Sequence, residues 1–212
     1  FNAIRHFPNV IGALDCTHVR IQSPGGNESE RFRNRIGYFS INVKCVCTAK
    51  LKIIDIVARW QGSVHDSTIF DNSKLRARFE NDEFPNCFLL GDSAYPCRLY
   101  LLTPLQEPTN DAEVRYQQSH IATRNPVERM FGVWKKRFPV LAREMRTNLQ
   151  TTLTTILTAT AVLHNFAIQR NDDLPAHNEN LPNEILMPEI PAEPARQQQR
   201  NATRTYLIET VF

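Results

Sequence analysis

VIGALDCTHVRI, residues Val10 to Ile21, is an apolar, β-branched run with a single acid, Asp15, near its middle. Its composition and the turn residues that follow it predict a buried strand. A carboxylate inside such a strand is costly unless something partners it. Asp15 is therefore either a strand-edge acid bonded to backbone amides or part of a site.

Working outward, the polar loop Gln22 to Arg35, with Pro24, Gly25 and Gly26, ends this strand. Tyr38–Thr48 (YFSINVKCVCT) and Ile53–Arg59 (IIDIVAR), separated only by Ala49 to Lys52, predict an antiparallel hairpin. His65 to Glu80 carries Ile69, Phe70, Leu75 and Phe79 at loosely helical spacing, and Cys87 to Leu90 reads as a buried strand behind it. Leu99 to Leu102 suggests a further short strand, and Asp111 to His120 a short polar helix. Pro126 to Phe138 is a stronger helix, with Val127, Met130, Phe131, Trp134 and Phe138 on one stripe. Leu149 to Ile168 predicts a long helix burying Leu149, Leu153, Ile156, Leu157, Leu163 and Ala167. Strand runs interrupted by helical crossovers indicate an α/β or α+β domain on a mixed sheet.

Residues 1–170 form the predicted core and 171–212 a tail. Within 171–195 stand six acids and five prolines but no Lys or Arg, too little apolar surface to offset chain entropy, so an extended or disordered tail is expected.

The net charge of +3 over 212 residues is too small to imply nucleic acid by itself. Five cysteines without a C-x-x-C pair argue against a disulfide framework or a cysteine-rich zinc site, and they fit a reducing compartment, nucleus or cytoplasm. No apolar run approaches the length of about 20 residues that a membrane helix needs. The chain opens without Met and enters a strand within about ten residues, so it reads as a fragment.

Three more acids stand out. Asp92 ends the apolar run Phe88-Leu89-Leu90-Gly91, at the carboxyl end of a strand, where α/β proteins place ligands. Its bland alternative is an ordinary Gly-Asp-Ser turn. Glu128 lies in the first turn of the helix opened by Asn125-Pro126, where Asn125-x-x-Glu128 also resembles a capping box. Asp66 either caps the helix that follows it or joins the other acids, and His65 beside it lacks a second His at ligand spacing. Carboxylates without Cys or His favour Mg²⁺ or Mn²⁺ over zinc, and a pair of such ions about 4 Å apart can cleave a phosphodiester bond. No G-x-S-x-G, Walker loop, G-x-G-x-x-G or H-E-x-x-H competes.

Residues 123–146 hold seven basic side chains against two acids. Arg124, Arg129, Lys135, Lys136 and Arg137 are the candidate nucleic-acid contacts, weighed against a merely solvated helix face. Arg31, Arg33 and Arg35 form a smaller patch. Trp60 and Trp134 are read as core residues before base-stacking ones.

The words around the acids are more specific than the acids. GALDCTHV (Gly12 to Val19), GSVHDS (Gly62 to Ser67), GDSAYP (Gly91 to Pro96), NPVERMFG (Asn125 to Gly132) and VLHN (Val162 to Asn165) closely resemble, in order, the motifs of PIF/Harbinger transposases and the nucleases derived from them. The resemblance spans about residues 8 to 168. It implies an RNase H-like fold, a metal-binding triad of Asp15, Asp92 and Glu128, Asp66 as a further ligand, and DNA as substrate. It also implies a helix-turn-helix segment ahead of this domain, outside this chain, and a separate Myb-like DNA-binding partner. The rival expectation is a catalytically idle DNA- or protein-binding module derived from a transposase, and a metal-dependent RNase is a third.

Overall fold

The computed structural model describes residues 1–5, 7–149, 153–173 and 202–212. The opening run forms β1 (Val10–Arg20), preceded by α1 (Asn2–Arg5). β1 pairs antiparallel with β2 (Ser40–Cys47), which pairs antiparallel with β3 (Ile53–Gln61). On its other side β1 runs parallel to β4 (Phe88–Leu90), and β4 runs parallel to β5 (Leu101–Leu102). The order is β3-β2-β1-β4-β5, with the strand that carries Asp15 at the centre.

A strand that returns to lie parallel to its neighbour needs a crossover. Here α2 (Asp66–Asp71) and α3 (Lys74–Glu80) supply it between β3 and β4. α4 (Asp111–Arg124), α5 (Pro126–Arg137), α6 (Thr154–Gln169) and α7 (Ala202–Thr210) follow β5.

Alternation along the strands sorts the core into two faces. Ala13, Val19, Val43 and Cys45 bury against Val127, Met130 and Trp134 of α5 and Leu157 and Ala161 of α6. Leu14, Val46, Leu89 and Leu101 point the other way, onto Phe70, Leu75 and Phe79 of the crossover helices. Trp134 is wholly buried, so the predicted stripe on α5 is core, and truncating it to Ala would cost about 3–5 kcal/mol.

Four local expectations need correction. The single helix expected over His65–Glu80 is two, because the Ser73 hydroxyl accepts from the Arg76 N–H at 3.2 Å and starts α3 afresh. The polar helix expected at Asp111–His120 runs on to Arg124, since Tyr116, His120 and Thr123 bury one side of it. On α6 the buried stripe is Leu157, Ala161, His164 and Ala167, whereas Leu163 is half exposed. That helix is apolar nearly all round, which hid its true face. Finally, part of the expected extended tail is helical. Ala202–Thr210 forms α7, which buries Leu207 and Arg204 beside Tyr116 and Phe7. The rest of the predicted tail, residues 174–201, lies outside the described residues.

The VLHN word is a clamp between layers. Asn165 Oδ1 accepts from the Ile53 N–H at 2.8 Å and its Nδ2 donates to the Ile53 carbonyl at 2.7 Å, while His164 Nε2 meets the Leu51 carbonyl at 2.8 Å. These bonds fasten α6 to the start of β3, a strand at the edge of the sheet.

Candidate active site

Asp15 and Asp92 are neighbours through strand register. Ala13 on β1 faces Leu90 on β4, and the two strands run parallel, so two further residues along each bring Asp15 beside Asp92. The Gly91 N–H still bonds the Leu102 carbonyl at 3.0 Å, which keeps the chain in the sheet up to Asp92. There it turns away: Asp92 Oδ1 accepts from the Ala94 N–H at 3.0 Å, the short turn that Gly-Asp-Ser predicted. Gly91 is required at this bend because an added Cβ would press on the buried Tyr95 ring.

Glu128 arrives from the third direction. Pro126 at the start of α5 has no N–H to donate, so α4 ends before it, while Asn125 between the two helices keeps helical backbone angles. Asn125 is helical and its side chain forms no cap, so the capping-box reading of Glu128 is not what the structure adopts. Instead the Arg124 guanidinium, at the end of α4, links two acids. Nη1 donates to Asp15 Oδ2 at 3.0 Å and Nη2 to Glu128 Oε1 at 2.5 Å. Asp92 adds a third attraction to the same guanidinium. Asp15 and Glu128 thus meet on one cation, with Asp92 near enough to attract it.

The charge balance is strained at Asp15. Its side chain is 17% exposed, and its carboxyl is pushed up to about 7, first by burial, next by the repulsion of Asp92. Arg124 and the Cys16 N–H oppose that rise without cancelling it.

Asp66 is not brought into this set as closely. It is the first residue of α2 and accepts from Asn42 Nδ2 at 2.7 Å, and Asn42 also donates to the Val64 carbonyl at 2.9 Å. His65, rather than Asp66, holds the cap position of that helix. Asp66 bears on Cys16, which shares the Leu14 face and meets the Tyr95 hydroxyl at 3.4 Å, and is the weakest of the influences on Asp15. Asn42 is a positioning residue that the sequence reading missed, since a buried Asn in a β-branched run looks like any strand polar residue. Among the described residues, no three His, Cys, Asp or Glu side chains stand together closely enough to hold one ion in this conformation. The Arg124 guanidinium lies between Asp15 and Glu128.

The predicted basic contacts divide. Arg124 is committed to the acids. Lys135 Nζ reaches back to Thr17 Oγ1 at 2.7 Å, fixing α5 on β1. Arg137 Nη2 meets the Asp173 carbonyl at 3.3 Å and pairs loosely with Asp172. Arg129 is exposed on the turn after Arg124, and Lys136 is half-buried. In the first loop Arg31 pairs with Glu28 and Arg33 with Glu30. All five cysteines are free thiols, and no helix of the described residues is long and apolar enough to cross a membrane.

A central long strand with antiparallel partners on one side and parallel ones on the other, flanked by helices, defines the RNase H-like α/β class. The chain belongs to the DDE superfamily endonuclease family, which matches residues 14–165, and its motifs resemble those of the Harbinger transposase-derived nucleases. It is 32% identical over 176 residues to proteins named "Putative nuclease HARBI1" in Bos taurus and Homo sapiens, covering 82% of this chain and 50% of each relative. It is also 25% identical over 187 residues to "Protein ALP1-like" of Arabidopsis thaliana, covering 81% of this chain and 46% of that protein. The chain spans about half the length of the curated relatives it matches. No solved structure matches it significantly.

Proposed function

We propose that this domain is a divalent-metal-dependent endonuclease acting on DNA phosphodiester bonds, with Asp15, Asp92 and Glu128 as the metal-holding acids. The observation that carries the reading is the meeting of a central-strand acid, Asp15, and a helix acid, Glu128, on Arg124, with Asp92 beside Asp15 at the end of the parallel neighbour strand. The donor set fits a hard cation: it is all oxygen, and three carboxylates stand around the single positive charge of Arg124.

When bound, such ions supply an activated water and offset charge on the leaving 3′ oxygen. The protein's own residues prepare that step. β1 and β4 hold Asp15 and Asp92 rigidly, because their backbones are tied into the sheet and its Gly91 extension. Glu128, with half of its side chain exposed, stays open to solvent and to an incoming phosphate. Asp66, steadied by Asn42, adds negative charge from the adjoining face and serves in this reading as an outer ligand. Arg129, exposed one turn after Arg124, and Lys136 on the same helix are the cations that in this reading attract the backbone in a sequence-independent way.

The test is cleavage of labelled duplex DNA by the purified protein with Mg²⁺ or Mn²⁺. Metal-dependent cutting that vanishes in Asp92→Asn and Glu128→Gln while DNA binding persists supports the nuclease. DNA binding with no cutting under any metal condition leaves the idle binding module instead, and preferential loss to RNA competitor would move the substrate to RNA.

A further inference from the structure

Asp15 and Glu128 do not touch; both touch Arg124. Glu128 follows Arg124 by four residues across the α4–α5 junction, so the guanidinium and the second acid share one face of that helical path while Asp15 comes to them from the sheet. A single cation thereby draws a strand acid and a helix acid into line, with Asp92 attracted to it as well. That is the placement a divalent ion needs, occupied by a side chain.

Arg124 and an ion cannot both use Asp15 Oδ2 and Glu128 Oε1. The guanidinium carries one charge and sits on a long flexible stem, and its side chain is 19% exposed along one edge. A divalent ion carries twice that charge and takes the same oxygens at shorter range. The helix of α4 anchors the Arg124 backbone, so the head group can swing outward without disturbing the fold.

We propose that Arg124 is an exchangeable placeholder: its guanidinium holds Asp15 and Glu128 in register while no metal is bound, and a divalent cation binds by displacing it from between them. This inference rests on the metal reading of the three acids. It makes Arg124 a positioning residue with a competitive relation to the ion, so removing its charge strengthens metal binding and weakens the metal-free protein.

The test compares wild-type chain, Arg124→Gln, Arg124→Lys and the double variant Arg124→Gln with Asp92→Asn, using Mn²⁺ alone as probe. Free Mn²⁺ is followed by electron paramagnetic resonance and melting is recorded in chelator and in Mn²⁺. Arg124→Gln is expected to bind Mn²⁺ about tenfold more tightly, because the share of protein whose acids are not already held by the guanidinium no longer limits binding. It should also melt lower in chelator and gain more from Mn²⁺, with Arg124→Lys between wild type and Arg124→Gln and the double variant losing the gain. If Arg124→Gln fails to fold, Arg124→Lys decides: its shorter, single-point contact should still give tighter binding than wild type. Wild-type binding that is unchanged or weakened by both substitutions overturns the placeholder while leaving the metal reading in place. Absence of Mn²⁺ binding in wild type and every variant overturns both.

Discussion

Asp15 on β1 and Asp92 beyond β4 stand each two residues past a register pair, Ala13 and Leu90, and this fixes two like charges side by side at the end of a parallel strand pair. Burial and this repulsion raise the Asp15 carboxyl to about 7.

Asp92→Asn removes the repulsion while burial stays, so the Asp15 carboxyl should fall from about 7 toward its ordinary range and the metal-free protein should lose less stability as pH rises toward 8. The sign follows from proton uptake. The folded Asp15 holds its proton from its usual 3.8 up to about 7, so its contribution to stability is full at low pH and declines as pH rises through that window. Carbon-13 carboxyl titration and urea unfolding check both; an Asp15 titration identical in the variant contradicts the geometry.

Glu128→Gln should abolish metal-dependent cleavage at a stability cost below about 1 kcal/mol, because the pair it loses with Arg124 is half exposed and no capping box depends on it. Circular dichroism melts beside the cleavage assay check this. A variant that unfolds yet retains turnover gives Glu128 a structural role instead.

His120 supplies an opposite pH dependence. It is buried on α4 with Nε2 against the Leu102 carbonyl, and burial holds its imidazole down to about 4. Stability from the neutral ring is complete above about 6.5 and lost as pH falls through about 4, on the order of 3 kcal/mol in all. Unfolding free energies measured in this range for wild type and His120→Asn should diverge, the variant showing the flatter acid limb; parallel curves contradict the assignment.

Asn165→Ala deletes both bonds to Ile53 and should cost about 2 kcal/mol. Hydrogen exchange should speed up first at Ile53, with DNA cleavage little changed at low temperature. Loss of cleavage in a fully folded Asn165 variant would move this residue from scaffold to site.

The central strand, the hairpin and the α5 stripe were legible because period-two and helical patterns and β-branched residues fix them locally. The break at Ser73 and the exposure of Leu163 were not, since a serine cap and a helix apolar on several sides need tertiary contacts to resolve. α7 was missed because its short helical segment follows a proline-rich, acidic stretch whose composition dominated the reading. Around the site, the motifs marked the three acids, but sequence spacing assigned Arg124 to nucleic acid when it lies among them, and could not reveal that Asn42 fixes Asp66. Lys135 and Arg137 likewise look like free cations in sequence and have partners in the fold.

The most direct test of the shared acid site is a crystal of this domain soaked in Mn²⁺ and measured for anomalous scattering. The predicted result is a peak within coordination distance of Asp15 and Asp92, with Glu128 closing toward it. A map at saturating Mn²⁺ with no peak there, or with its only peak away from these three acids, contradicts the account.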